Sequence, residues 1–98
     1  MKRQAERFNY FNYTKRRKTM DEIKSVLLEI LEETRPDVDF EGEEALIDDK
    51  ILGSFDIISI VSEISDEFNI KVKATDLVPE NFNTVDAMCE LIDRLQNE

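Results

Sequence analysis

The chain contains no histidine and a single cysteine, Cys89. With no histidine, the Ser–His and Cys–His pairs of nucleophilic catalysis are excluded, and with only one cysteine as well, so are the common zinc frameworks. A single cysteine cannot form an internal disulfide, which fits a reducing compartment. A glycine-rich phosphate-binding loop is missing as well. These absences argue against a self-contained enzyme. Cys89 lies beside the apolar stripe of the last predicted helix, which favours a small buried residue over a reactive thiol.

Glycine and proline are also scarce, with two of each among 98 residues. This scarcity predicts a mainly helical chain, and the length predicts one small domain. Long hydrophobic runs are missing from the sequence, so we expect no membrane span. The basic first residues lead into the polar and aromatic residues 8–13 and not into an apolar stretch. That order argues against a signal peptide and favours a cytoplasmic protein.

Charge is unevenly distributed along the chain, whose net charge is −10. Residues 1–19 contain seven Lys/Arg and one Glu, whereas residues 20–98 contain six Lys/Arg and 22 Asp/Glu. This break predicts a boundary near Met20, and the acidic part favours basic partners over nucleic acid. We interpret residues 1–19 as a basic, disordered extension or as upstream sequence read from an early start codon. Binding of single-stranded nucleic acid by its basic and aromatic residues is the alternative.

Apolar residues at three- and four-residue spacing predict three main helices. They cover residues 20–34, residues 54–68 and a last helix that begins after the N-cap Thr84 and ends near Leu95. A shorter helical turn is predicted at residues 74–78. The predicted fold class is therefore all-α, a small four-helix bundle with three main helices and a short third helix.

The long acidic loop at residues 35–53 is predicted to be anchored to the core by four apolar side chains, Leu46, Ile47, Ile51 and Leu52. Its acidic residues also follow the spacing of an EF-hand calcium loop: Asp37, Asp39, Glu41, Gly42 and Asp48. Against a specific site, Glu44 occupies a position where an apolar residue is expected, and the last ligand is not the longer Glu. We therefore predict no dedicated metal site, and calcium binding is kept as an alternative.

The second predicted helix carries apolar residues around most of its circumference, which predicts a central helix with several packed neighbours. Its polar residues recur at helical spacing and predict one exposed acidic stripe, formed by Asp56, Ser59, Glu63 and Asp66. Ser54 lies where the loop gives way to this helix. A hydroxyl at that point either caps the helix by accepting a backbone hydrogen bond or serves as an attachment point, because a helix N-terminus favours a phosphate.

Residues 52–56, 67–72 and 84–85 carry three short motifs, Leu-Gly-Ser-Phe-Asp, Glu-Phe-Asn-Ile-Lys-Val and Thr-Val, whose order and spacing resemble those of the acyl carrier protein family. Residues 52–56 read Leu-Gly-Ser-Phe-Asp, where the family usually has Leu-Gly-x-Asp-Ser-Leu or a shorter Asp-Ser-Phe form. Residues 67–72 read Glu-Phe-Asn-Ile-Lys-Val, which is similar to the family's Glu-Phe-x-Ile-x-Val. The Thr-Val that opens the family's last helix matches Thr84 and Val85. Over about residues 20–96, the chain resembles an acyl carrier protein.

The resemblance implies a function as well as a fold. In the family, a phosphopantetheinyl transferase moves 4′-phosphopantetheine from coenzyme A to the serine, which is Ser54 here. The thiol of that arm carries acyl or aminoacyl groups as thioesters, as in fatty acid biosynthesis, and presents them to loading and processing enzymes. The expected protein is a monomeric carrier and not itself an enzyme. We expect it to meet basic enzyme surfaces through five residues at the second helix: Phe55, Asp56, Ser59, Glu63 and Asp66.

One position departs from the family pattern. The family normally has Asp directly before the serine, and this chain has Gly53. Because that Asp contributes to recognition by the transferase, the alternative is an unmodified, carrier-like protein-interaction module. Residues 76–82 are longer than the corresponding link in fatty acid carriers, and the context of Ser54 is also reminiscent of D-alanyl carrier proteins. The cargo therefore stays open between fatty acyl, aminoacyl and polyketide-type units.

Overall fold

The computed structural model describes residues 17–98, and this part of the chain is entirely helical apart from its connections. Its helices are α1 (Met20–Thr34), α2 (Ser54–Phe68), the short α3 (Pro79–Phe82) and α4 (Val85–Gln96), with a 3₁₀ turn at Ala74–Asp76. The prediction of a small all-α bundle with three main helices is confirmed. The short helical turn was predicted at residues 74–78. The structure has a 3₁₀ turn at Ala74–Asp76 there, and the short third helix lies after it, at Pro79–Phe82.

Local signals explain where each helix begins. Thr19 caps α1: its Oγ1 accepts a hydrogen bond from the Glu22 N–H, and the Glu22 carboxylate accepts one from the Thr19 N–H. Thr84 caps α4 by accepting a hydrogen bond from the Ala87 N–H at 2.9 Å. The short α3 begins with Pro79, because proline suits the first helical position, where its missing N–H costs no helical hydrogen bond.

The hydrophobic core lies where α1 packs against α4 and α2, and α3 closes it against α4. α1 and α4 contribute most of its fully buried side chains, which include Ile23, Leu27, Ile30, Leu31, Met88, Leu91 and Ile92. The prediction that α2 is the central helix is wrong. α2 buries only Ile60, Ile64 and Phe68, while Phe55 and Ile58 are 86% and 64% exposed. Apolar residues around most of the circumference of α2 therefore did not mean that neighbouring helices pack against all of its sides.

The long loop at residues 35–53 is anchored as predicted. Leu46 and Leu52 are buried, and Ile47 and Ile51 pack against the core with part of their surface exposed. Phe40 is a further buried anchor that the sequence analysis did not identify. These apolar contacts fix a long connection that has little regular structure of its own.

Asn83, between α3 and α4, holds the same loop from the other side. Its Oδ1 accepts hydrogen bonds from the N–H groups of Ile47 and Asp48 at 2.9 and 3.0 Å, and its backbone carbonyl accepts one from Leu46. Its amide nitrogen donates to the Asp48 carboxylate at 3.2 Å. One side chain thereby satisfies loop N–H groups that have no helical partner.

Cys89 is buried in α4, as predicted. Burial raises the pKa of its thiol to about 11, so the thiol stays protonated and unreactive at neutral pH.

In the part of the chain that the structure describes, no helix has the length and apolarity to span a membrane. Residues 1–16 of the predicted basic extension, and with them the nucleic-acid alternative, lie outside the described residues. Lys18, within the predicted extension, exchanges two hydrogen bonds with the Gln96 side chain.

Candidate functional site

Ser54 is the first residue of α2, and it is exposed. The N-cap residue is Gly53, whose φ of −92° and ψ of −178° are open to any residue. The possibility that Ser54 caps the helix is therefore not realised. Within residues 17–98 no hydrogen bond engages the Ser54 hydroxyl, so its oxygen is available for chemistry.

The N-terminus of α2 differs from those of α1 and α4 because Gly53 has no side chain to cap it. The first N–H groups of any α-helix lack a carbonyl partner within the helix. In α1 and α4 a threonine hydroxyl accepts from one of them, whereas at α2 no side chain of the N-cap residue does so. The turn that begins with Ser54 thus presents N–H donors and the positive end of the helix dipole beside the hydroxyl.

Asp56 fixes the backbone just before Ser54. Its Oδ2 accepts a hydrogen bond from the Gly53 N–H at 3.0 Å. The same oxygen accepts a hydrogen bond from Nη1 of Arg35 at 2.8 Å, and this ion pair is partly buried, with the Asp56 side chain 22% exposed. Asp56, predicted as part of an exposed acidic stripe, is therefore engaged in holding the start of α2.

Arg35, at the end of α1, links three segments of the chain. Besides Asp56, its Nη1 donates to the backbone carbonyl of Ile51 at 2.9 Å. Its Nε and Nη2 donate to the two carboxylate oxygens of Asp37, each at 2.9 Å. Hydrogen bonds to Asp37 and Asp56 raise the pKa of Arg35, and the guanidinium lowers the pKa of Asp37 to about 2. Both shifts favour the charged pair.

The sequence analysis did not identify Arg35. The residues that it contacts lie up to 21 positions away along the chain, so no local periodicity relates them. The signal in the sequence was limited to an arginine directly before Pro36, at the point where α1 must end. Only the way in which the loop folds back reveals its partners.

The outer face of α2, which we define as Phe55, Ile58, Ser59, Glu63 and Asp66, is exposed along its whole length. It combines two large apolar side chains with two carboxylates, and it begins next to Ser54. Ile58 was not among the residues that the sequence analysis assigned to docking. A shallow groove of about 430 Å³ runs along this face between α1 and α2, lined by Ile30, Glu33, Thr34, Phe55, Asp56, Ser59 and Glu63.

The EF-hand-like spacing in the loop does not produce a converging set of ligands. Across residues 17–98, no cluster of three or more His, Cys, Asp or Glu side chains is arranged to hold a metal ion. Asp37 is bound by Arg35 at one end of the loop, and Asp48 accepts from Asn83 at the other. The calcium alternative therefore receives no support from the geometry of the loop.

Comparisons with protein-family models, with curated proteins and with solved structures each find no match to this chain. What the structure itself defines is a small all-helical bundle with an exposed serine at the uncapped start of α2. Any function has to be argued from that site and from the motifs around it.

Proposed function

We propose that this protein is an acyl carrier protein that is modified with 4′-phosphopantetheine at Ser54. The arm carries acyl or aminoacyl groups as thioesters on its thiol, and the protein presents them to other enzymes. The observation that carries the proposal is the exposed Ser54 hydroxyl at the start of a helix that lacks a side-chain cap. The resemblance of residues 52–56, 67–72 and 84–85 to the carrier family supports the same assignment.

The residues at this site fit a phosphodiester. The Ser54 oxygen is exposed, and the first-turn N–H groups of α2 can donate to phosphate oxygens. In the attachment step, a bond forms between the Ser54 oxygen and the phosphorus that bears pantetheine. The bond from that phosphorus to the adenosine 3′,5′-bisphosphate part of coenzyme A breaks. The hydroxyl proton passes to a base of the transferase, so the carrier is a substrate and supplies no catalytic group.

The outer face of α2 supports the docking part of the proposal. Phe55 adjoins Ser54 and is 86% exposed, and Ile58 lies one turn further along. Glu63 and Asp66 continue the face with negative charge. Exposed apolar anchors suit the centre of an interface, and charges beside them steer a basic partner. A transferase and later acyl-processing enzymes with basic docking surfaces fit such a face.

A second candidate function is an unmodified carrier-like interaction module. Gly53, in place of the family's Asp, is the observation that favours it, because the transferase recognises that Asp in the family. The same outer face of α2 would then bind partners without any attached arm.

The decisive experiment is the intact mass of the protein after incubation with coenzyme A and a broad-specificity phosphopantetheinyl transferase. We expect the gain of one phosphopantetheine in the wild type and in Ser62→Ala, an exposed serine on the same helix. We expect no gain in Ser54→Ala, which should stay folded. Absence of any gain in the wild type with several transferases would contradict the carrier function and favour the interaction module. A gain in Ser54→Ala would contradict the site.

A further inference from the structure

The Arg35 guanidinium donates four hydrogen bonds, and two of them reach residues on either side of the start of α2. Arg35 binds Asp37 with a two-pronged contact, and its Nη1 reaches both the Ile51 carbonyl and the Asp56 carboxylate. Asp56 in turn accepts from the Gly53 N–H. Arg35 therefore fixes points on both sides of Gly53, the residue that precedes Ser54.

We propose that Arg35 is a positioning residue for the modification of Ser54. This inference rests on the proposed function and concerns the same site. Arg35 acts through Asp56 and the Ile51 carbonyl, and it holds residues 51–53 and the first turn of α2 in one arrangement relative to the end of α1. The Ser54 hydroxyl is thereby presented in a single orientation to the phosphorus of coenzyme A.

The backbone at this point needs such a contact. Gly53 is exposed and, as glycine, has the widest conformational freedom of any residue. Leu52 is buried and anchors the chain on one side, but no apolar side chain anchors residues 53–55, since Phe55 points into solvent. The polar contacts of Arg35 and Asp56 supply the order that packing does not.

Arg35 also determines the charge beside the attachment point. Asp56 lies in the first turn of α2, where its carboxylate would repel a phosphodiester on Ser54. The ion pair at 2.8 Å compensates that charge and draws the carboxylate toward the end of α1. A lysine would keep the charge but not the planar fork that serves Asp37, Ile51 and Asp56 together.

The test is steady-state kinetics of modification, with the full chain as the varied substrate of a broad-specificity phosphopantetheinyl transferase. If loss of the contact lowers the competent fraction of the site to about one-tenth, the apparent KM rises about tenfold while kcat is unchanged. We expect this for Arg35→Gln and a smaller rise for Arg35→Lys. Arg94→Gln, an exposed arginine in the last turn of α4, is the matched control and should leave KM unchanged.

Two additions separate positioning from general stability. Each variant is assayed well below its unfolding temperature, with the folded fraction measured by circular dichroism. The double variant Arg35→Gln/Asp56→Asn should raise KM no further than Arg35→Gln alone, because Arg35→Gln already removes the ion pair with Asp56 and an asparagine can still accept from the Gly53 N–H. An unchanged KM in folded Arg35→Gln, or additive effects in the double variant, would overturn the proposal.

A separate readout distinguishes failure of this inference from failure of the carrier function. Backbone ¹⁵N order parameters of residues 51–55 report positioning without any transferase. We expect them to fall in Arg35→Gln and not in Arg94→Gln. If the wild type is never modified, the carrier function fails, and the order parameters still decide whether Arg35 positions Ser54. Equal order parameters in the wild type and Arg35→Gln would refute positioning by Arg35.

Discussion

The interface between α1 and α4 and the Ser54 end of α2 are held together in different ways. At the interface, aliphatic side chains such as Leu27 and Ile92 are fully buried, and even the cysteine thiol is packed and protonated. At the Ser54 end, Phe55 and Ile58 lie in solvent, and Arg35 and Asp56 hold the backbone through polar contacts. Burial gives the first region its stability, while directional hydrogen bonds give the second its geometry.

The difference indicates that one region of this small bundle provides stability and the other provides an ordered, exposed site. A helix end that is held by hydrogen bonds can leave its apolar side chains exposed, since it does not need them for packing. Those side chains are then available to a partner protein. The two regions should therefore respond differently to substitution: changes in the core should alter stability, and changes on the outer face of α2 should alter binding.

The largest effect is expected in the core. Leu27→Ala should lower the free energy of unfolding by about 2–5 kcal/mol, because it removes a fully buried side chain and leaves a cavity. Urea denaturation followed by circular dichroism measures it. Leu77, which is 46% exposed, gives the control: Leu77→Ala should stay within about 0.5 kcal/mol of the wild type. Similar losses in both variants would mean that the core is not where the structure has it.

The exposed face of α2 should behave in the opposite way. Phe55→Ala should change the free energy of unfolding by less than about 0.5 kcal/mol, because the ring is already in solvent. It should weaken binding to a phosphopantetheinyl transferase about tenfold, which corresponds to about 1.4 kcal/mol, as expected for an apolar anchor. Titration calorimetry measures the affinity, with Leu77→Ala as the exposed apolar control. A loss of stability without a loss of affinity would assign Phe55 to packing and not to docking.

The polar region should show a pH dependence that the core does not. Arg35 lowers the pKa of Asp37 from 3.8 to about 2, so Asp37 stabilises the fold fully above pH 3.8. That contribution is lost as the pH falls from 3.8 toward 2, where the carboxylate is protonated in the folded state too. The difference in urea midpoint between the wild type and Asp37→Asn should therefore narrow across this window. In an Arg35→Gln background the narrowing should disappear; its persistence there would contradict the pairing.

The smallest effect is expected at Gly53. A Cβ added there would meet only the Asp56 Oδ2, at 3.9 Å, and the backbone angles suit any residue. Gly53→Ser should stabilise the fold by about a few tenths of a kcal/mol, because its hydroxyl can accept from a first-turn N–H of α2. Gly53→Ala provides the comparison, since it adds the Cβ without the acceptor. If the alanine variant is as stable as the serine variant, the hydrogen-bond donors at the start of α2 already have partners.

Much of the fold could be predicted because helix periodicity and capping are local. The bounds of α1 and α2, the Thr84 cap and the buried loop residues Leu46 and Leu52 follow from spacing and residue type. The position of Ser54 at the start of α2 follows in the same way: Ser54 is the first helical residue, and Gly53 occupies the N-cap position. Its modification and its partners are proposals that rest on the motifs around it.

Which surfaces meet depends on contacts between segments that are distant along the chain. Periodicity shows that α2 is apolar on several sides, but not which sides neighbours cover, so the prediction of a central α2 was wrong and Ile58 was not assigned to the exposed face. The helical spacing of Asp56 predicts a solvated acidic residue. In the folded chain, however, Asp56 pairs with Arg35, which lies 21 positions away along the sequence. The helices follow from the local sequence, because their hydrogen bonds join residues four apart. The environment of Ser54 depends on contacts between distant segments, and those exist only once the chain has folded.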